Sequence, residues 1–573
     1  MDYKQAYAEW SAALAGTEYE AELERIAADP ALLQDSFYQF LEFGTAGMRG
    51  TLALGTNRMN VFTVRRASEG LAAYILSTGK QDDGVAIAYD SRINSDVFAR
   101  EAARVLADKG VKVYLYQTLH SVPQLSFTIL HLHCIAGIVI TASHNPPEYN
   151  GYKVYGADGG QMATEDAATV TNYINEVTDY LSYTPMSLDD AVEKGLVTYI
   201  GEDVDEVYYQ KVESLQIDRE VIARQADHLK IVYTPLFGTG NVPVRRILSD
   251  IGIRNLSVVK EQELPNGNFP GLKAPNPENR DVFTLAFQQA DEIGANLIIA
   301  TDPDCDRMGV CVRSKDGGFE VLTGNQIGCI LMDYILSAKQ SSFSGDEFVV
   351  KSVVSTAMAD TIAAHYGVEL RNVLTGFKFI AEQIKLSEAS GKGRFLFGFE
   401  ESYGYLSGTF VRDKDAAMAS MLLAEAACHY DAKGMTLYDA LQELYKKFGY
   451  FKEQVLSLTL AGMEGIAKIK GAVEALRQNP PAAFGEFAVT AVSDFMKNTK
   501  TQVATGAVSP IGLPATNMLY YDFDGGRVIL RPSGTEPKLK AYVSIVSPDE
   551  ADAQAKLSRL AATVESLMAE LTK

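Results

Sequence analysis

At 573 residues the chain is too long for one hydrophobic core, and roughly three to five domains are expected. Apolar residues make up 47% and charged residues 22%, a globular balance, and a formal net charge of −21 argues against a nucleic-acid partner, which would need a basic face. Five scattered cysteines give neither a disulfide framework nor a paired zinc spacing.

Residues 1 to about 40 read as polar-amphipathic helix, with Ala-rich stretches such as Ala12-Ala13-Leu14-Ala15. The start, Met1-Asp2-Tyr3-Lys4, lacks the basic and apolar regions of a signal peptide, and no apolar run reaches the ~18 residues of a membrane span. A soluble, reducing, cytoplasmic setting without a membrane partner is therefore expected. Strand and helix then alternate. Val85 to Tyr89 is a short apolar strand ending at Asp90-Ser91-Arg92, followed by a helix from about Val97 to Asp108, closed by Gly110, and a strand from Val111 to Tyr116. His131 and His133, the only close pair among seven histidines, sit in an apolar segment where packing is their expected role. Ile138 to Ile140 is another buried-type strand. The pattern returns as helix Val282 to Ile293 with strand Leu297 to Ala300, and as helix Met358 to Tyr366 with strand Arg394 to Phe397. Such repetition indicates α/β layers with parallel or mixed sheets. In the tail, strands at Val528 to Leu530 and Tyr542 to Val546 precede a capping box, Ser547-Pro548-Asp549-Glu550, with Pro at the first helical position. A final amphipathic helix carries Leu557, Leu560, Val564, Leu567 and Leu571 on one side. Boundaries are expected near 205, 325 and 450, with no low-complexity linker at any of them.

Four loops carry chemistry, and at least three follow apolar strands, where open α/β sheets bind ligands. Thr141-Ala142-Ser143-His144-Asn145-Pro146 exposes a serine among small and turn-forming residues. It has no Gly-x-Ser-x-Gly elbow, and alone it also reads as a turn with a capping serine. Asp302-Pro303-Asp304-Cys305-Asp306-Arg307 places three carboxylates at alternate positions of an extended loop, on one side. Their repulsion calls for a cation, and hard oxygen ligands suit Mg²⁺. An EF-hand is excluded, because Gly at loop position 6 and Glu at 12 are missing, and Cys305 should face away. Gly398-Phe399-Glu400-Glu401-Ser402-Tyr403-Gly404 suits hydrogen bonding to vicinal sugar hydroxyls; adjacent carboxylates point apart, so a glycosidase pair does not fit. Arg531-Pro532-Ser533-Gly534-Thr535-Glu536-Pro537-Lys538 has the components of a phosphate nest without the Walker A order, or it is a structural turn. A nucleophile, a metal site, a hydroxyl reader and a remote phosphate clamp together fit phosphoryl transfer between two positions of one sugar.

In this order the four loops resemble the α-D-phosphohexomutase family, in its longer phosphoglucomutase-like branch, over nearly the whole chain. Phe43-Gly44-Thr45-Ala46-Gly47-Met48-Arg49-Gly50, Tyr149-Asn150-Gly151-Tyr152-Lys153, Thr375-Gly376-Phe377-Lys378 and Asp413-Lys414-Asp415 resemble further family segments. The resemblance implies an α/β fold of four domains around a central cleft, three related mixed α/β domains and a smaller α+β C-terminal one, over 1–205, 206–325, 326–450 and 451–573. It implies that Ser143 carries the phosphoryl group, with Mg²⁺ held by Ser143, through its phosphate, and by Asp302, Asp304 and Asp306. Arg49, Lys153, Arg307 and Lys414 would assist catalysis. Thr375, Gly376, Lys378, Glu400, Ser402, Arg531, Ser533, Gly534 and Thr535 would bind substrate. The implied reaction interconverts glucose 1-phosphate and glucose 6-phosphate through a glucose 1,6-bisphosphate intermediate that also serves as activator. Many family members carry Gly where Pro303 and Cys305 stand. Some that accept mannose carry Met and His where this chain has Glu401-Ser402-Tyr403, which favours glucose. Phosphomannomutase, phosphopentomutase or N-acetylglucosamine phosphate mutase activity, a phosphatase, and a silent sugar-phosphate-binding protein are the alternatives. The last would not need both Ser143 and the Asp triplet.

Overall fold

The computed structural model describes residues 1–572 except 45–46, 461 and 533–537, and the side chains of 462–464. The chain forms two compact units, Met1–Leu331 with Ile380–Leu437, and Met332–Phe379 with Tyr438–Lys573.

The first unit opens with helices Tyr3–Ala13, Glu20–Ala27 and Pro30–Phe37, whose Trp10, Leu23, Ile26 and Phe37 bury against Phe62 and Tyr180. A six-stranded sheet follows in the order Met48–Thr51, Tyr149–Gly156, Ala136–Ile140, Val85–Tyr89, Val113–Tyr116, Val197–Ile200. Its inner strands pair in parallel and every residue of Val85–Tyr89 and Ala136–Ile140 is buried, which is why they read as unbroken apolar runs. The two strands at one edge run antiparallel. Their register sets Arg49 opposite Gly151 and Lys153 opposite Val139, beside the strand that ends at the Ser143 loop.

A second sheet is ordered Phe319–Leu322, Met308–Arg313, Leu297–Thr301, Ile231–Thr234, Leu256–Val258. Thr301 pairs with Met308 in an antiparallel ladder, so the whole 302–307 segment is the connection of a buried hairpin. The unit is completed by strands Arg394–Glu400 and Gly404–Leu406 and by the helix Ala416–Asp431, N-capped by Asp415.

In the second unit, Glu347–Ser352 pairs in parallel with Glu369–Val373. The C-terminal sheet is antiparallel, ordered Tyr450–Thr459, Lys538–Ser547, Gly526–Pro532, Leu519–Phe523, Phe487–Asp494, Thr499–Gln502, Val508–Pro510. Period-two alternation divides its faces. Val528, Leu530, Ala541 and Val543 pack under helices Gly462–Gln478 and Glu550–Leu571, while Ile529 and Tyr542 pack with Val353, Val354 and Leu374.

Several element limits differ from expectation. The helix starts at Ser95, behind a left-handed Asn94, and the next strand starts at Val113. A short 3₁₀ turn, Arg280–Phe283, precedes the helix Thr284–Ile293. The strand from Arg394 continues through Gly398 and Phe399 to Glu400, which shortens the sugar loop to a turn. The expected capping box fails because Ser547 still belongs to its strand, paired with Tyr450; Asp549 caps the last helix instead, accepting from the Asp552 N–H. Among the described residues no helix is long and apolar enough to cross a membrane.

Candidate active site

Three buried carboxylates occupy the hairpin connection. Asp302, Asp304 and Asp306 each offer an oxygen, all within 4.8 Å of one another. The loop is not extended as expected. Cys305 adopts a left-handed φ of 53°, and a turn brings the side chains together while the Cys305 thiol packs beside Gly240. Asp302 accepts from the N–H groups of Asp306 (3.1 Å) and Arg307 (2.9 Å), whereas Asp304 Oδ1 and Asp306 Oδ1 are buried without a hydrogen-bond partner. Burial, then the charges of Asp304 and Asp306, pushes the Asp302 carboxyl well above its usual range. Burial acts on Asp304 in the same sense, but Lys153 at 2.8 Å outweighs it and holds that carboxyl low. Asp306 is raised by burial and by Asp304, against Lys414 at 3.1 Å. Crowded hard oxygens, two of them orphaned in a buried site, are a donor set that fits a small divalent cation.

Backbone bonds hold this hairpin in place. The N–H of Val122 donates to Asp304 O, that of Ala416 to Cys305 O, and that of Met308 to Tyr403 O. The last bond ties the hairpin to the turn after Glu400, so Glu400, 5% exposed, and the half-buried Ser402 stand on its flank.

Ser143 is held at a left-handed φ of 52°, its N–H donating to Thr141 Oγ1. Its hydroxyl donates to Asp302 Oδ2 at 2.8 Å, across 159 residues of sequence, and lies 3.2 Å from His144 Nδ1. Burial and the Arg307 and Arg49 cations push the His144 imidazole well below its usual range, so the ring is neutral. Around this pair stand four of the expected cations. Lys153 reaches Asp304, and Lys414 reaches Asp306 and Asp413. Arg307 pairs with Glu278 at 2.7 Å, and Arg49 donates to Asn145 on the serine loop at 2.9 Å. Burial alone would depress Lys414, but Asp306 and Asp413 hold its ammonium above its ordinary value.

Thr375, Gly376 and Lys378 belong to the second unit, at the end of strand Glu369–Val373 and the start of helix Lys378–Ser390; Gly376 has φ 121°, and Thr375 Oγ1 is buried without a partner. Arg531 is half-buried near the end of strand Gly526–Pro532, opposite Lys540. Ser533, Gly534 and Thr535 lie outside the described residues. Sequence reasoning gave no role to His144, Glu278 or the buried pair Asp90 and Arg92. For the pair a signal existed: opposite charges directly after a wholly apolar strand.

Four segments match the family models described as phosphoglucomutase/phosphomannomutase alpha/beta/alpha domain I (residues 41–181), domain II (206–317), domain III (323–448) and C-terminal domain (486–565). The chain belongs to this family, the α-D-phosphohexomutases, and has its four-domain architecture. Its relatives include a protein named phosphoglucomutase from Staphylococcus saprophyticus, 38% identical over 509 residues, 89% of this chain and 91% of that one. Another of that name, from Staphylococcus aureus strain MRSA252, is 37% identical over 530 residues, 92% and 93% of the two chains. Among solved structures, the open form of pp63/parafusin (phosphoglucomutase) from Paramecium shares the fold with a TM-score of 0.66 at 18% identity, covering 93% of this chain and 95% of that one.

Proposed function

We propose that the protein is a phosphoglucomutase that interconverts glucose 1-phosphate and glucose 6-phosphate through a phosphoserine at Ser143 and a glucose 1,6-bisphosphate intermediate. The observation that carries this reading is the 2.8 Å contact between Ser143 Oγ and the buried Asp302, inside a carboxylate cluster with orphaned oxygens. Similarity to proteins named phosphoglucomutase supports glucose as the sugar.

Asp302, Asp304 and Asp306, with a phosphate oxygen on Ser143, would hold one Mg²⁺, which supplies Lewis-acid neutralisation of phosphoryl charge. The chain's own groups do the rest. A phosphoserine carries about −2 charge, and Lys153, Lys414 and Arg307 offset the acidic surroundings in which it sits. In the first transfer the P–Oγ bond breaks as a new P–O bond forms to a sugar hydroxyl, whose proton passes to the protein. The Ser143 oxygen then regains a proton from the protein, and His144 Nδ1 faces that oxygen at 3.2 Å. When the bisphosphate has turned around, the P–O bond at its other end breaks as Ser143 Oγ gives up its proton and forms the new P–Oγ bond, and the sugar oxygen that leaves takes a proton from the protein. Glu400 and Ser402 would read sugar hydroxyls, with Thr375, Gly376 and Lys378 as further substrate contacts. Arg531, Ser533, Gly534 and Thr535 would hold the phosphate that is not reacting.

The test uses purified protein with Mg²⁺, catalytic bisphosphate and, in turn, glucose, mannose, ribose and N-acetylglucosamine 1-phosphates. Glucose 1-phosphate is expected to be isomerised with the highest kcat/KM, and Ser143→Ala to abolish turnover together with acid-stable phosphoserine. Release of free glucose would make the protein a phosphatase, and binding without turnover a silent binder. Another preferred sugar would correct the substrate.

A further inference from the structure

The serine loop is held by a side chain outside the reacting set. Arg92 follows the strand Val85–Tyr89, and its side chain is fully buried. One terminal nitrogen donates to Pro146 O and Tyr149 O, both at 2.9 Å, and the other to Ser143 O at 2.6 Å and to Asn145 O. A single guanidinium thus reaches four carbonyls of the segment 143–149, of which Pro146 O also accepts the Tyr149 N–H. Ser143 is buried and the rest of the turn is half-buried apart from the exposed Glu148, so a buried donor beneath it carries most of its carbonyl bonding. The nucleophile's own peptide is pinned at both ends, its N–H by Thr141 and its carbonyl by Arg92. The remaining freedom at Ser143 is its χ1 rotation, and Oγ points to Asp302.

Arg92 is itself oriented from two domains. Asp90 faces its Nε at 3.4 Å and accepts from the Arg92 N–H and from Ser95 Oγ, which Asn150 also contacts. From the second domain, Phe269 lays its ring 5.0 Å from the guanidinium carbon. The backbone of the same loop presses so closely that a Cβ on Gly267 would stand 2.5 Å from Ile93 N. Further along, this loop delivers Glu278 to Arg307 beside the carboxylate cluster. One segment therefore touches both the clamp on the serine loop and the cation next to the Asp hairpin.

We propose that Arg92 is a positioning residue for Ser143, a planar clamp on the 143–149 turn that the second-domain loop around Gly267 and Phe269 locks in place. This rests on the reading of Ser143 as phosphoryl carrier. Lysine keeps the charge but lacks the planar fork that spans four carbonyls. A displacement of about 1 Å at a reacting atom costs on the order of 100-fold in rate.

The experiment compares wild type, Arg92→Lys and Phe269→Leu by steady-state kinetics and by hydrogen exchange of segment 143–149. Arg92→Lys is expected to lower kcat roughly 100-fold with KM changed less than about threefold, and to speed exchange in the turn while the strand Val85–Tyr89 keeps its protection. Phe269→Leu, which leaves the four hydrogen bonds intact, is expected to give the same split at roughly 3- to 10-fold, and it carries the test alone if the lysine variant does not fold. Wild-type kcat in the folded variants, or a rise in KM alone, overturns the proposal. A wild type that isomerises no sugar phosphate overturns the mutase reading instead, and the exchange contrast still decides whether Arg92 holds the serine turn.

Discussion

Each aspartate of the cluster has a different local balance, so the three will not respond alike to substitution. Asp302 is satisfied by two backbone N–H groups and by Ser143, whereas Asp304 relies on Lys153 and Thr141 and leaves one oxygen unpaired. Replacing Asp304 with Asn removes a charge from the proposed cation's donor set and leaves Lys153 facing a neutral amide in place of its 2.8 Å carboxylate, with Asp306 at 3.9 Å. A charge-assisted contact is worth about 1.5–3 kcal/mol, so Mg²⁺ affinity should fall by roughly 10- to 100-fold. Calorimetric titration of both proteins with Mg²⁺ checks this, and kcat should recover in part at high Mg²⁺ or Mn²⁺. Unchanged affinity would remove Asp304 from the site.

The helix Ala416–Asp431 shows how a buried element can depend on one cap. Asp415 accepts from the Met418 N–H and from Tyr208 Oη at 3.0 and 2.9 Å, and burial raises its carboxyl to about 6. A carboxyl raised in the fold binds its proton more tightly there than in the unfolded chain. Its contribution is therefore complete at acid pH and is lost as pH climbs through 6. Between pH 4.5 and 7.5 that loss is about 2 kcal/mol. Asn keeps the cap and cannot titrate, so the difference in urea midpoints between Asp415→Asn and wild type should move in the variant's favour over this interval; a constant difference would refute it. Elements of this kind were legible where period and burial agree. Val85–Tyr89 and the start of Leu297–Thr301 stand where their apolar runs place them. The helix start at Ser95 was hidden because a left-handed Asn94 without a side-chain cap leaves no N-terminal signature. Ser547-Pro548 mimicked a cap because sequence alone cannot show that the strand runs on through Ser547. Site residue types could be read from the loops, but their neighbours could not. Ser143 meets Asp302 across 159 residues, and Arg307 meets Glu278 across 29, through tertiary packing that no local pattern encodes.

A chain of net charge −21 would handle the proposed doubly charged sugar phosphate only by concentrating cations locally. Lys153, Lys414, Arg307 and Arg49 do so around Ser143, and a mutase needs more. On the proposed reading its bisphosphate has two phosphates and must turn without escaping, because loss at mid-cycle would leave unphosphorylated Ser143 and an idle enzyme. A phosphatase has no such requirement. On the mutase reading, Arg531 is the charged member of the group that retains the intermediate, and its removal forfeits a charge-assisted bond of about 1.5–3 kcal/mol. Escape of the bisphosphate should then rise by roughly 10- to 100-fold. Arg531→Ala should therefore raise KM for glucose 1-phosphate and make the initial rate strongly dependent on added glucose 1,6-bisphosphate, while wild type saturates at far lower concentration. At saturating bisphosphate the variant should regain most of its kcat, since the groups around Ser143 are untouched. The measurement is initial rate against bisphosphate concentration for both proteins. Superimposable curves would show that Arg531 takes no part in retention, and a kcat that stays low at saturation would place its role in the chemical step instead.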